Sequence, residues 1–226
     1  MSIITPMDSN VLGLIISYAF LGVVIAFGIF LKNRFGISSE SMRKIIHIGA
    51  SNWWFLNLHC FTSLGWAVVG PICFIVVNAL FTMFDWGRRL GLDDRKRNRG
   101  LVYFPITLLV VTIGMYREAF TPLETTIAIL VMGWGDGLAA MVGSKWGRKK
   151  IGKLDKSYVG CLTMGIVSFI VAASALASGS SLSTGMILLA SFLVGVVALL
   201  VEATTPWGLD NITVPLATLF VLRFFR

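Results

Sequence analysis

Apolar runs about as long as a helical membrane crossing recur through this sequence, at 11–31, 45–61, 64–84, 101–116, 122–142, 159–177, 185–203 and 211–225. A bilayer core about 30 Å thick takes ~20 apolar residues per helix, and inside it every backbone N–H and C=O must pair within the protein. The pattern predicts an all-α fold, a polytopic transmembrane helix bundle, and excludes a water-soluble enzyme. Composition agrees, with 56% of the 226 residues hydrophobic and 13% charged. His47, Asn52 and Asn57 weaken the second run and Arg223 interrupts the last, so the expected count is seven or eight spans. The polar connections are poor in Pro and Ser, and residues 1–226 read as a single integral membrane domain. No Lys or Arg stands in residues 1–10 and no small-residue cleavage site follows the first run, so that run is expected to remain as a span.

So apolar a chain still carries a formal net charge of +8. With the N-terminus outside, the inside connections hold Lys32, Arg34, Arg43 and Lys44, then Arg88, Arg89, Arg95, Lys96, Arg97 and Arg99, then Lys145, Arg148, Lys149, Lys150, Lys153 and Lys156. Only Arg117, Arg223 and Arg226 fall elsewhere. The positive-inside rule fixes that orientation, and much of the charge is topology before it is function. Cys60, Cys73 and Cys161 form no CxxC pair and have only His47 and His59 for company. Neither a disulfide nor a zinc site is expected.

Ionisable groups at membrane depth cost about 3 kcal/mol or more unless they face a wet cavity or a partner. Four stand out: His47, Asp136, Glu202 and Asp210. Asp136 lies in GWGDGLAAMVGSKWG, residues 133–147. Helical spacing puts Asp136, Ala140, Gly143 and Gly147 on one face, a side-chain-poor groove with a carboxylate at its deep end. That groove suits either a close-packed helix or a ligand. The next stretch, GRKKIGKLDKS at 147–157, has five cations and two glycines. It suits a polyphosphate, and equally a topogenic or anionic-lipid contact.

Residues Glu40, Arg43 or Lys44, His47 and Ser51 fall on one helical stripe entering from the inside. Glu202, Asp210 and Asn211 bracket VEATTPWGLDNITVP, residues 201–215, where Pro206 and Gly208 interrupt the helix. Three oxygen-bearing side chains there suit a divalent cation held with a phosphate, or else a capped surface loop with Asp210 as the cap. Asn78, Tyr103 and Pro105 read as interhelical packing.

All of these features lie at the inside ends of the spans, as suits a soluble phosphate-rich substrate meeting a lipid in the inner leaflet. No G-x-x-x-x-G-K-[ST], H-R-D or G-x-S-x-G motif is present. Asp136, Gly137 and Ala140 imitate the opening of the CDP-alcohol phosphotransferase motif, but Met141 stands where Arg is required and the later aspartates are missing.

Four ordered blocks remain: RKIIHIG at 43–49, GLVYFP at 100–105, GDGLAAMVGSKWGRKKIG with KSYVGCLTMG from 135 to 165, and Glu202 with DNITVP at 210–215. Together they resemble the CTP-dependent lipid kinases, the dolichol kinase, phytol kinase and diacylglycerol kinase group. The resemblance implies a membrane enzyme that moves the γ-phosphate of CTP to a lipid hydroxyl with Mg²⁺. It puts motif positions on Arg43, Lys44, His47, Asp136, Ala140, Gly143, Gly147, Lys156, Ser157, Gly160, Glu202, Asp210 and Asn211. On that basis Asp136 and Asp210 bind Mg²⁺, and Arg43, Lys44, Lys150, Lys153 and Lys156 neutralise phosphate. His47 or Glu202 accepts the acceptor's proton.

The expected partners are CTP, a lipid alcohol (polyprenol, phytol or diacylglycerol) and the bilayer, with no nucleic acid. The expected setting is a bacterial plasma membrane rather than an organelle membrane. A phosphatidate cytidylyltransferase-type enzyme is the alternative reaction, although its paired C-terminal aspartates are absent. A small transporter or membrane scaffold is the alternative outside catalysis.

Overall fold

Apolar segments in lipid must satisfy their own backbone, and these do so as helices. The computed structural model describes residues 6–84, 99–151 and 156–226. In chain order the helices are α1 Pro6–Phe35, α2 Ser39–Ser51, α3 Trp53–Cys60, α4 Leu64–Ala67, α5 Val69–Met83 and α6 Arg99–Tyr116. Then come α7 Pro122–Leu130, a π-helical turn Val131–Gly135 leading directly into α8 Asp136–Trp146, α9 Tyr158–Gly179, α10 Thr184–Thr204 and α11 Asp210–Leu222. No strand occurs among the described residues.

Among the described residues five stretches are long and apolar enough to cross a membrane: Ser9–Phe35, Leu64–Phe81, Pro122–Trp146, Tyr158–Gly179 and Thr184–Thr204. Gly100–Tyr116 is a shorter apolar helix. The run expected at 45–61 is instead a helix pair. Ser38 caps α2 by accepting from the Ser41 N–H at 3.0 Å. The α2–α3 break falls at Asn52, whose side-chain amide donates to the Ile48 carbonyl at 2.7 Å. The run expected at 211–225 is the 13-residue α11 with one 3₁₀ turn, Arg223–Phe225. It runs antiparallel to α7 and α8. Asp210 at its start lies near Asp136, while Arg226 at its end donates to both Glu124 oxygens, at 2.9 and 2.7 Å.

The continuous α7–α8 rod is the spine. Ile129 and Met132 face a core shared with Trp53, Trp54, Val111 and Leu219. Ile127 and Val131 face a second core with Met164, Ala190, Val194 and Val214. α9 and α10 pack closely, a Cβ on Gly195 of α10 falling 2.8 Å from the Gly165 carbonyl of α9, as expected where small residues let backbones approach.

Glycines decide how α2 meets the spine. A Cβ on Gly133 would lie 2.1 Å from the Ser51 Cβ, and one on Gly137 2.3 Å from the Ile48 Cγ1. This seam carries Lys44 and His47 of α2 toward Asp136. Gly133→Val should therefore overpack the seam by about 1–3 kcal/mol, read as a lower melting temperature in detergent. An unchanged melting temperature would show that α2 has room to move aside.

Candidate functional site

Asp136 is the first residue after the π turn, an irregularity that often marks functional helix positions, and it is buried. Lys44 of α2 donates to its Oδ2 at 2.5 Å. One helical turn further along α2, His47 places Nε2 3.6 Å from the same oxygen. The imidazole rests on the Phe104 ring, with centroids 4.4 Å apart.

The basic loop reaches the site by folding back on itself. Ile151 N–H donates to the Lys156 carbonyl at 2.8 Å, and Tyr158 N–H donates to the Lys149 carbonyl at 3.2 Å. This returns Lys156 to the helix bundle, where its ammonium donates to Glu202 Oε1 and, at 2.5 Å, to Asp210 Oδ2. Burial pulls the Lys156 pKa down, but Glu202, Asp210 and Asp136 outweigh it and hold the ammonium above the ordinary lysine range. A raised lysine pKa means that the pairing is present below the ordinary lysine range and is lost only as pH rises beyond it.

Asp136, Glu202 and Asp210 each offer a carboxylate oxygen, all within 4.8 Å of one another. Counted formally, the three acids exceed the two ammoniums of Lys44 and Lys156 by one charge, His47 aside. Buried polar atoms are ordinarily paired, yet Glu202 Oε2, Asn211 Oδ1 and His47 Nε2 are buried without a hydrogen-bond partner. Asn211 is fixed elsewhere, since its side-chain NH2 donates to the Gly208 carbonyl at 3.0 Å and its backbone carbonyl accepts from the Thr107 hydroxyl at 2.6 Å.

The cluster lines a cavity of about 610 Å³ together with the apolar side chains of Leu21, Ile25, Trp53, Phe74, Phe104 and Leu108. Arg43, Lys44, His47, Asp136, Lys150, Lys156, Glu202, Asp210 and Asn211 all line it, so residues far apart in sequence meet on one wall. Lys153 lies outside the described residues, as do Arg88, Arg89, Arg95, Lys96 and Arg97.

The small-residue groove on α8 is taken up largely by a helix. Gly143 and Gly160 line the cavity with Ser157, but a Cβ on Gly160 would lie 2.9 Å from the Ala139 carbonyl. A Cβ on Gly147 would meet Ser157 Oγ at 2.2 Å, and Gly147 does not line the cavity. Ser157 caps α9, accepting from the Gly160 N–H at 3.1 Å. Asp210 is a buried first residue of α11, and the capped surface loop considered for it is not formed. Ser51 of the α2 stripe is turned away from the cavity, its hydroxyl donating to the Ile48 carbonyl. Asn78 lines the cavity but donates to the Leu101 carbonyl at 2.8 Å, an interhelical bond as expected. Phe104, Thr205 and Trp207 also line the cavity; the sequence placed them only inside conspicuous blocks, with nothing to mark them singly.

A membrane helix bundle with one cavity lined by both a charged cluster and apolar side chains defines the class: an integral membrane protein with room for a charged group beside an apolar one. No protein-family model matches the chain, and no solved structure matches it. Curated relatives do. It is 32% identical over 206 residues to a phytol kinase of Synechocystis, covering 84% of this chain and 82% of that protein. It is 28% identical over 204 residues to a probable chloroplastic phytol kinase 2 of Glycine max, covering 84% and 67%. It is 27% identical over 207 residues to a probable chloroplastic phytol kinase 1 of Oryza sativa, covering 81% and 63%. The chain belongs to the phytol kinase family and is a lipid kinase.

Proposed function

We propose that this enzyme transfers the γ-phosphate of CTP to the hydroxyl of a lipid alcohol, phytol first among the candidates, at the cytoplasmic face of a bacterial plasma membrane. The observation that carries this reading is the single cavity that joins three clustered carboxylates and their lysines to an apolar wall. The names of the relatives support phytol as acceptor. CTP as donor rests on the resemblance of the motif blocks. The side from which it arrives rests on the positive-inside reading of the cations, of which Arg43, Lys44, Lys150 and Lys156 line the cavity.

The donor set fits Mg²⁺. It consists of hard oxygens, and Glu202 Oε2 and Asn211 Oδ1 are buried with no other partner. Asp136 and Asp210 would hold the ion, with Glu202 beside them, and when bound it supplies charge neutralisation on the donor's β and γ phosphates. Arg43, Lys44, Lys150 and Lys156, which line the cavity, offset the remaining phosphate charge, so positioning and electrostatics supply most of the catalysis. The apolar wall takes the acceptor's hydrocarbon chain and leaves its hydroxyl at the boundary, where His47 lies between Asp136 and Phe104. In the transfer the γ-phosphorus to bridging-oxygen bond breaks and the bond to the acceptor oxygen forms. CDP leaves, and the hydroxyl proton passes to His47 or Glu202.

The enzyme reconstituted with phytol, geranylgeraniol, a polyprenol or diacylglycerol, and supplied with CTP labelled at the γ or the α position, tests the reading. Expected is γ label in the lipid and α label retained in CDP, with phytol the best acceptor. With the matching lipid phosphate supplied in place of the alcohol, lipid labelled from the α position and pyrophosphate released would establish a CDP-lipid synthase instead, and faster transfer to the alcohol from ATP would overturn the donor assignment.

A further inference from the structure

The connection between α10 and α11 holds an unusual pair of residues. Trp207 adopts φ 59° and Gly208 φ 79°. Glycine enters this left-handed region freely and packs its backbone onto Gly100, whose Cα a Cβ on Gly208 would approach to 3.0 Å. A bulky L-residue enters it only against its own sterics, and such strain tends to persist where function requires it. Burial does not compensate Trp207, because 62% of it is exposed. Its ring has no hydrogen-bond or aromatic partner among the described residues. It nevertheless lines the same cavity as Lys150, Lys156 and Asp210, so a largely exposed tryptophan borders the cavity that holds the charged cluster. Trp146 shows the contrast: it is similarly exposed, but its backbone is ordinary α-helix and the Lys145 ammonium sits 4.8 Å from its ring, as suits an interfacial anchor.

We propose that Trp207 is the stacking platform for the nucleoside base of the phosphate donor. The inference rests on the reading of the enzyme as a nucleotide-dependent kinase. A nucleoside triphosphate entering from water leads with its phosphates toward Lys156, Lys44 and the carboxylates, which leaves the base at the rim. There the flat, exposed π face of Trp207, between Pro206 and Gly208, receives it. The same short connection thus supplies the base platform and, three residues on, the Asp210 carboxylate. Stacking accepts any base, so Trp207 contributes donor affinity rather than base choice.

The test compares Trp207→Ala, Trp207→Phe and Trp207→Leu by steady-state transfer and by equilibrium binding of labelled CTP to the full-length enzyme in lipid nanodiscs. Expected is a donor KM and Kd raised roughly 5- to 100-fold in the Ala and Leu variants. The Phe variant should stay close to wild type, with lipid KM unmoved throughout. A Trp207→Ala enzyme with wild-type donor affinity overturns the platform, as does recovery by Leu or a rise confined to the lipid KM, which would make Trp207 a membrane anchor. Binding needs no turnover, so the two readings separate. Weakened CTP binding in a protein whose wild type transfers no γ-phosphate would overturn the kinase reading and retain the platform.

Discussion

Asp136→Asn is expected to lower phosphoryl transfer by on the order of 10³-fold while the helix bundle still inserts and folds. The substitution keeps size and one acceptor oxygen, replaces the other oxygen by an amide donor and removes the charge. Three things depend on that charge. Lys44 is held by it at 2.5 Å, and His47 lies 3.6 Å from it. It is also one of the three carboxylates gathered within 4.8 Å, the proposed seat of the divalent cation. Because asparagine still accepts a hydrogen bond from Lys44, the melting temperature should fall by only a few degrees, a loss of roughly 1–2 kcal/mol. Initial rates with γ-labelled CTP, read beside the elution profile and thermal melt of the same preparation, separate lost chemistry from lost fold. Near-normal turnover would remove Asp136 from the reaction.

The cost of burying charge made Asp136, Glu202 and Asp210 legible in the sequence, since no packing requirement places a carboxylate in an apolar run. Which carboxylate meets which lysine was not legible. Lys44 reaches Asp136 across 92 residues and Lys156 reaches Asp210 across 54, and those pairings follow from helix packing that no local pattern encodes. The groove of Ala140, Gly143 and Gly147 was visible as a surface, but small residues admit a helix and a ligand equally well. In the structure the start of α9 occupies the Gly147 end and leaves Gly143 on the cavity wall. Hydropathy also merged α2 and α3 into one run, because the break at Asn52 is a hydrogen-bonding choice of one side chain within an apolar stretch. Trp207 was hidden for a similar reason: an aromatic between Pro and Gly reads as a turn, and only the backbone angle reveals that the turn is strained.

Lys156→Met tests whether the second ammonium serves the fold, the phosphate or both. The side chain is 21% exposed, and its ammonium is shared between Glu202 and Asp210, each carboxylate 6% exposed. Removing one member of a buried ion pair leaves the others uncompensated and typically costs about 3–5 kcal/mol, a loss of roughly 6–20 °C in melting temperature for a chain this long. Turnover should fall by on the order of 10²-fold or more, because the same ammonium faces the donor's phosphates in the proposed complex. Adding Glu202→Gln to this variant removes one of the stranded charges and should recover much of the melting temperature without recovering turnover. If turnover returned together with stability, Lys156 would be a structural counter-ion alone and the phosphate role would fall. Mg²⁺ supplies a further discriminant, since binding to the folded state raises its stability by mass action. Once Lys156 no longer competes for the Glu202 and Asp210 oxygens, added Mg²⁺ should raise the melting temperature of Lys156→Met more than that of the wild type. Equal shifts would place any Mg²⁺ site away from these carboxylates.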